Sequence, residues 1–333
     1  MIKLGLRYAS TSREHLQLVR QLGVEGGTLR WIRFPGAEAS GGHVDREGFR
    51  ALLDRFAEFG LALGGMELSR PLIQGVLQGD AARGVGELEA LCETVRLLGD
   101  HGIDLLTCGF AIAHADEAQH DWRGYRDEPL GRAGAVLRTF DAARLDAGDM
   151  VTWGGDGADG PRVDEPEVWR RLDRFMDAVL PVARAAGVRL GFHPNDPPLP
   201  VYRGVAQPFA TPEGLGVMLD RYADPGVGLL FCLGTLQESG GDMTGALRRF
   251  GAQGKLFAIH FRNVRGTVPR FHEVFPDEGD FDAAEHMRLL HEAGFDGYVM
   301  PDHYPGVLGD SPENDLARAW CLGYLRALIQ STA

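Results

Sequence analysis

A recurring phrase constrains this chain more than any other feature: an amphipathic run, then a glycine, then a short apolar run. It occurs around Gly23, Gly60 and Gly102 and returns at Gly187, Gly226, Gly251 and Gly294. A glycine just past a helix end can take the left-handed backbone conformation without a Cβ clash. Helix, glycine and strand in alternation imply βα units around a parallel sheet. With the opening run Ile2–Tyr8, the strand candidates are Val24–Leu29, Leu61–Met66, Ile103–Cys108, Val188–His193, Val227–Cys232, Leu256–Phe261 and Gly297–Asp302. Eight strands with helices between them predict an α/β fold, a single (β/α)8 TIM barrel over residues 1–333. An open doubly wound sheet would be the alternative, but no GxGxxG follows the first strand.

Helical stripes fill the intervals. Phe49, Leu52, Leu53 and Phe56 form one, and Val168, Leu172, Phe175, Met176 and Val179 another. Thr11-Ser-Arg-Glu14 reads as a capping box. Thr211-Pro212 and Ser311-Pro312 read as N-caps followed by proline at the first helical position, and Leu316–Ile329 as the last helix. Two segments exceed the minimal unit. Arg30–His43 is a glycine-rich polar loop after the second strand. Residues 109–164, with an amphipathic piece around Val136–Leu145, form a long insertion after the fourth. Both follow strand carboxyl ends, where barrel enzymes build their sites, so both are expected as caps.

Charge and cysteine content narrow the partners. A formal charge of −13 argues against general attraction to nucleic acid or an anionic membrane. An anionic substrate needs local Arg, Lys or metal charge. No apolar run of about 18 residues suits a membrane span, and the start of the chain shows no signal-peptide pattern. The four cysteines, Cys92, Cys108, Cys232 and Cys321, form no CxxC or disulfide-framework spacing, so a reducing cytoplasm is expected. The composition is compatible with a homo-oligomer.

The later strands carry the chemistry. His193, Cys232, His260 and Asp302 stand at equivalent places, the carboxyl ends of four consecutive strand candidates. Barrel closure brings such positions together, and imidazole, thiolate and carboxylate all bind divalent transition metals. Any one alone is more often a packed or hydrogen-bonded side chain; four in register point to one metal. Zinc, cobalt, iron and manganese all suit such donors. Cys108 also ends a strand but has no His or carboxylate beside it, and is expected in the core, as are Cys92 and Cys321 in helices.

Around these ligands lie candidate helpers. Arg262, two residues beyond His260, falls on the same side of the strand and is expected to clamp a substrate carboxylate and serve the catalytic step. His303 either moves a proton or hydrogen-bonds a ligand from behind. His272 and Glu273, in a polar loop after strand seven, are candidate substrate contacts. Asn195 and Asp196, held among prolines, are expected to orient His193 or touch substrate, and Arg7, near the end of the first strand, is another candidate pocket cation.

The quoted residues resemble the mannonate dehydratase family, a branch of the xylose-isomerase-like barrels. His-Pro-Asn-Asp-Pro-Pro at 193–198, Phe-Cys-Leu-Gly-Thr at 231–235, His-Phe-Arg-Asn-Val at 260–264, Phe-His-Glu at 271–273 and Pro-Asp-His at 301–303 carry it, with Leu-Arg-Tyr at 6–8. The stretch from about Arg30 to Asp164 matches poorly. The resemblance implies that His193, Cys232, His260 and Asp302 bind a metal, usually Mn2+. It implies dehydration of D-mannonate to 2-dehydro-3-deoxy-D-gluconate in carbohydrate metabolism, with a small sugar acid as partner. The chain departs from the family at Met300-Pro-Asp-His-Tyr304-Pro305, where the family has Arg-Pro-Asp-His-Gly-His. It departs again at Ser311-Pro-Glu313-Asn, where the family has a Gly-Tyr pair. These departures leave room for a sugar isomerase or epimerase, or for a non-catalytic sugar-acid-binding relative.

Overall fold

A computed structural model describes residues 1–115, 123–151 and 162–332. Eight parallel strands close into a barrel: β1 (Lys3–Tyr8), β2 (Gly26–Arg30), β3 (Ala62–Glu67), β4 (Leu105–Cys108), β5 (Arg189–Phe192), β6 (Val227–Cys232), β7 (Leu256–His260) and β8 (Tyr298–Met300). Each neighbours the next in sequence, and β8 pairs with β1. Every residue of β4, β6 and β7 is buried, as expected for strands covered on both faces.

The outer layer is α1 (Arg13–Gln21), α2 (Arg46–Glu58), α3 (Ala81–Asp100), α4 (Glu165–Ala186), α5 (Pro212–Arg221), α6 (Met243–Ala252), α7 (Ala283–Glu292) and α8 (Asp315–Ser331). The stripe from Val168 to Val179 is buried along α4, which Gly187 ends at φ +70°. Gly251 differs from that expectation. It lies inside α6, where a Cβ would meet Ala293 at 2.7 Å, and Gly254 takes the left-handed position instead.

Two caps also shift. Ser12, not Thr11, caps α1 and accepts from the His15 amide. Thr211 caps α5 as expected. Ser311-Pro312 does not open α8. That helix starts at Asp315 after Asn314 at φ +58°, and Ser311 reaches forward to accept from the Asp315 amide.

The long segments are less loop-like than their composition suggests. Trp31, Phe34 and Ala37 are buried in the core, so Arg30–His43 is anchored by apolar side chains despite its glycines. The Val136–Leu145 piece contains the strand Leu137–Asp141. Phe271-His272-Glu273, expected as polar loop, lies in the strand Arg270–Val274. With Tyr125–Glu128 and Asn263–Thr267 these make a four-stranded antiparallel sheet. Phe140 stacks on Phe271 at 5.1 Å, and Tyr125 packs against both. The sheet joins chain that follows β4 to a hairpin that follows β7. Residues 116–122 and 152–161 of the expected 109–164 insertion lie outside the described residues. Among the described residues, no helix is long and apolar enough to cross a membrane.

Candidate metal centre and active site

Strand alternation sorts side chains into layers inside a barrel. Leu105, Leu230, Ala258 and Met300 pack together in the interior, and Thr28 donates to the Met300 sulfur at 3.9 Å. Two residues further along their strands, Arg30, Cys232, His260 and Asp302 therefore face the mouth. Arg7 Nη1 lies 3.6 Å from both Glu67 Oε1 and Asp302 Oδ1, so these side chains border the same mouth.

His193, Cys232, His260 and Asp302 come together as the sequence pattern anticipates. Each offers a ligand atom, and these atoms lie within 4.8 Å of one another. The surroundings set their protonation. His193 Nδ1 donates to the Pro194 carbonyl at 2.7 Å, which leaves the Nε2 lone pair for the cluster. Burial lowers the His193 pKa and takes that of His260 down to about 3, so both rings are neutral. Burial alone would raise Asp302, but His260, His303, Arg7 and Arg262 together hold it well below the ordinary carboxylate range. Burial pushes the Cys232 thiol up to about 11, against the pull of Arg262. Its sulfur accepts from the Thr235 amide at 3.4 Å and hydroxyl at 3.2 Å.

One atom tests whether a metal fits. His260 Nδ1 is buried with no hydrogen-bond partner and lies 3.5 Å from Asp302 Oδ1. Buried polar atoms are nearly always satisfied, so an orphaned imidazole nitrogen beside a carboxylate calls for a cation between them. Two neutral imidazoles, a carboxylate and a sulfur already accepting hydrogen bonds suit a divalent transition metal.

Arg262 departs from its expected role. Its side chain is 2% exposed and its donors are occupied. Nε reaches Asp302 at 3.2 Å, Nη2 reaches Asp196 at 2.7 Å and Thr235 at 2.9 Å, and Nη1 pairs closely with Glu238. A guanidinium so engaged holds Asp302 in place and has no open face for a substrate carboxylate. Glu238 is fully buried, and that burial raises its carboxyl well above the usual range despite Arg262, with Asp196 and Glu273 adding repulsion.

His303 and Glu273 form a dyad. His303 Nδ1 lies 2.7 Å from Glu273 Oε2, and Nε2 lies 3.7 Å from Asp302 Oδ2. Burial would raise Glu273, but His303 and Arg262 hold it low, so it is an anion. His303 keeps a side-chain exposure of 20% and is open to the mouth. His272 is not part of this arrangement. Alternation along Arg270–Val274 places Phe271 and Glu273 on one face and His272 on the other. Asn195 Oδ1 accepts from the Phe209 backbone amide at 3.1 Å, and the Asn195 backbone N–H donates to the Phe209 carbonyl. It braces the loop beyond His193.

Sequence reasoning missed several partners. Tyr125 donates to Asp196 at 2.5 Å from the cap sheet, and its position in a poorly matching stretch gave no signal. Glu238 lies six residues beyond Cys232, in a short helix Leu233–Glu238 that the strand pattern does not show. Arg30 and Glu67 end β2 and β3 and could have been found by extending the strand-end rule to the first half. Tyr304 packs under the Arg318 guanidinium at 5.6 Å, and burial pushes its hydroxyl up to about 12. Cys108, Cys92 and Cys321 are buried free thiols, as expected.

The model of the D-mannonate dehydratase (UxuA) family matches residues 160–333, more than half of the chain. The chain belongs to the D-mannonate dehydratase family. It is 26% identical to mannonate dehydratase 2 of Halalkalibacterium halodurans over 290 residues, 82% of each chain. It is 32% identical to the mannonate dehydratase of Thermotoga maritima over 152 residues, 44% of this chain and 42% of that one. In three dimensions it resembles the mannonate dehydratase of Streptococcus suis serotype 2 with a TM-score of 0.82 at 22% identity, covering 100% of this chain and 95% of that one. A crystal structure of L-ribulose 3-epimerase shares the fold at a TM-score of 0.62 and 15% identity, over 100% and 96% of the two chains. The matched segment holds all four members of the candidate metal cluster, Arg262 and the His303–Glu273 dyad.

Proposed function

We propose that this member of the family is a metal-dependent hydro-lyase that dehydrates D-mannonate to 2-dehydro-3-deoxy-D-gluconate. The cluster of His193, Cys232, His260 and Asp302, with the orphaned His260 Nδ1 inside it, carries the reading. These four side chains hold the metal, which we assign as Mn2+ from the family likeness. When bound, it supplies Lewis acidity to substrate oxygens.

The reaction breaks the C2–H and C3–O bonds, and the proton and hydroxyl leave as water. The resulting enol tautomerises to the 2-keto acid. His303 is the group placed to carry a proton. Glu273 fixes its ring through Nδ1, and Nε2 stands 3.7 Å from Asp302 Oδ2 at the edge of the ligand cluster. Arg262 keeps Asp302 in position, with Asp196 and Glu238 holding the guanidinium in turn.

Purified protein reconstituted with Mn2+ and given D-mannonate should form the 2-keto-3-deoxy acid, and chelated protein should not. If a metal-loaded sample forms no keto acid from D-mannonate or other aldonic acids, the proposal fails. Interconversion of sugars without loss of water would instead identify an isomerase.

A further inference from the structure

The cap sheet sends two polar side chains into the metal centre, and the proposed reaction uses only one of them. Register across the sheet puts Phe140 opposite both Tyr125 and Phe271. Directly opposed residues share a face, as do residues two apart on one strand, so Tyr125, Phe140, Phe271 and Glu273 line one face. From that face Glu273 reaches His303, and the Tyr125 hydroxyl donates to Asp196 Oδ1 at 2.5 Å. The Tyr125 ring packs on Phe140 at 4.9 Å and Phe271 at 5.9 Å, with the Arg138 guanidinium 4.7 Å over it. A ring held by such contacts aims its hydroxyl in one direction.

Asp196 is where this contact branches towards the ligands. Its Oδ2 accepts from Arg262 Nη2 at 2.7 Å, and Arg262 Nε holds Asp302 at 3.2 Å. The Thr235 hydroxyl accepts from the same Nη2 at 2.9 Å and stands 3.2 Å from both Asp196 Oδ2 and the Cys232 sulfur. His114 Nε2 meets the Asp196 carbonyl at 3.0 Å, so the backbone is pinned and the carboxylate is oriented by what its two oxygens meet. Among the described residues, Tyr125 alone donates to Oδ1. Asp196 is 7% exposed, and a buried acceptor that loses its donor costs more than the bond itself contributes. Without the phenol, the carboxylate turns towards other partners and shifts Arg262 and Thr235 with it.

We propose that Tyr125 is a positioning residue of the metal centre: its hydroxyl fixes Asp196 and, through Arg262 and Thr235, sets the placement of Asp302 and the Cys232 sulfur. The cap then belongs to the metal site as well as covering it. The inference rests on the proposed metal reading and does not depend on the identity of the sugar acid.

The test titrates Mn2+ by calorimetry into metal-free wild-type protein, Tyr125→Phe, Tyr222→Phe, Asp196→Asn and the Tyr125→Phe/Asp196→Asn double variant. Phenylalanine keeps the ring, so Tyr125→Phe removes the hydroxyl alone. Tyr222→Phe makes the same change on the outer layer, where the Tyr222 hydroxyl donates to Asp173 at 2.7 Å. Tyr125→Phe should bind Mn2+ on the order of 10-fold more weakly than wild type, with Tyr222→Phe within about twofold. In the Asp196→Asn background the same change should cost no more than about twofold, because its effect passes through Asp196. KM for D-mannonate at saturating Mn2+ should stay within about twofold, because the hydroxyl bonds Asp196 and not the substrate. Wild-type Mn2+ affinity in Tyr125→Phe, an equal loss in Tyr222→Phe, or the same loss with and without Asp196 overturns the inference. A raised KM with unchanged Mn2+ affinity also overturns it, since Tyr125 would then be a substrate contact. Should Asp196→Asn fail to fold, Tyr125→Phe against Tyr222→Phe decides alone. A wild type that binds no Mn2+ refutes the metal reading and this inference with it. One that binds Mn2+ but eliminates no water refutes the dehydratase reading alone, because the calorimetric comparison still reads Tyr125.

Discussion

At the ends of β5 to β8, four ligand atoms lie within 4.8 Å of one another, three of them on residues at most 6% exposed. At the ends of β1 to β3, Arg7, Arg30 and Glu67 stand 3.4 to 3.6 Å apart with a fifth to a third of each side chain open. The two sides of one mouth thus differ in burial as well as in residue type. Buried ligands with neighbours that fix tautomer and orientation form a rigid centre. Partly exposed pairs are screened by water and hold their members more weakly. Removing a group from the first side should damage the centre itself, whereas removing one from the second should cost little stability.

The largest effect should follow loss of a ligand. Cys232→Ala or His260→Ala should lose the metal and more than about 100-fold of activity, beyond what removing an outer partner costs. Retention of stoichiometric metal and activity by either variant would break the contrast. Next is His303→Asn, which should lower kcat about 10²- to 10⁴-fold while metal content stays the same. Metal loss in that variant would move His303 into the ligand set.

Arg262→Met tests the buried network beneath the ligands. It leaves Asp196 and Asp302 without their shared cation, and breaking such a buried pair costs about 3–5 kcal/mol. Denaturant unfolding of the variant should show that loss; a change below about 1 kcal/mol would contradict the arrangement described. The smallest effect belongs to the open side. Glu67→Gln should change unfolding stability by no more than about 1 kcal/mol, as expected for partly exposed pairs.

These contrasts also explain what could be read from the sequence. Strand positions were legible because a strand buried on both faces is a continuous apolar run, as Val227–Cys232 shows. The candidate ligands were legible because each stands at the end of such a run. Arg262 was placed on the correct side of its strand, but its partners come from distant segments: Glu238 from a short helix, and Asp196 from the loop beyond His193. Alternation alone cannot tell an open arginine from one enclosed by carboxylates. His272 went astray for a related reason. Once Arg270–Val274 joins a sheet with Leu137–Asp141, alternation turns His272 away from Glu273. That pairing spans more than a hundred residues and leaves no local mark. Arg30 escaped because its pairing with Glu67 appears only when β2 and β3 lie side by side.

The Cys232 thiol gives the most direct test of the central claim that these four residues bind a metal. Its pKa is raised to about 11, so the unloaded site holds a thiol at neutral pH, while His193 and His260 are already unprotonated. Loading must therefore displace one proton, and affinity should rise about tenfold per pH unit through neutrality. Calorimetric titration with Mn2+ in buffers of different ionisation enthalpy, between about pH 6.5 and 8, reads that number directly. The account predicts one metal bound per chain with close to one proton released, and neither in Cys232→Ala. Equal metal binding by the wild type and Cys232→Ala, with no proton released by either, would contradict it.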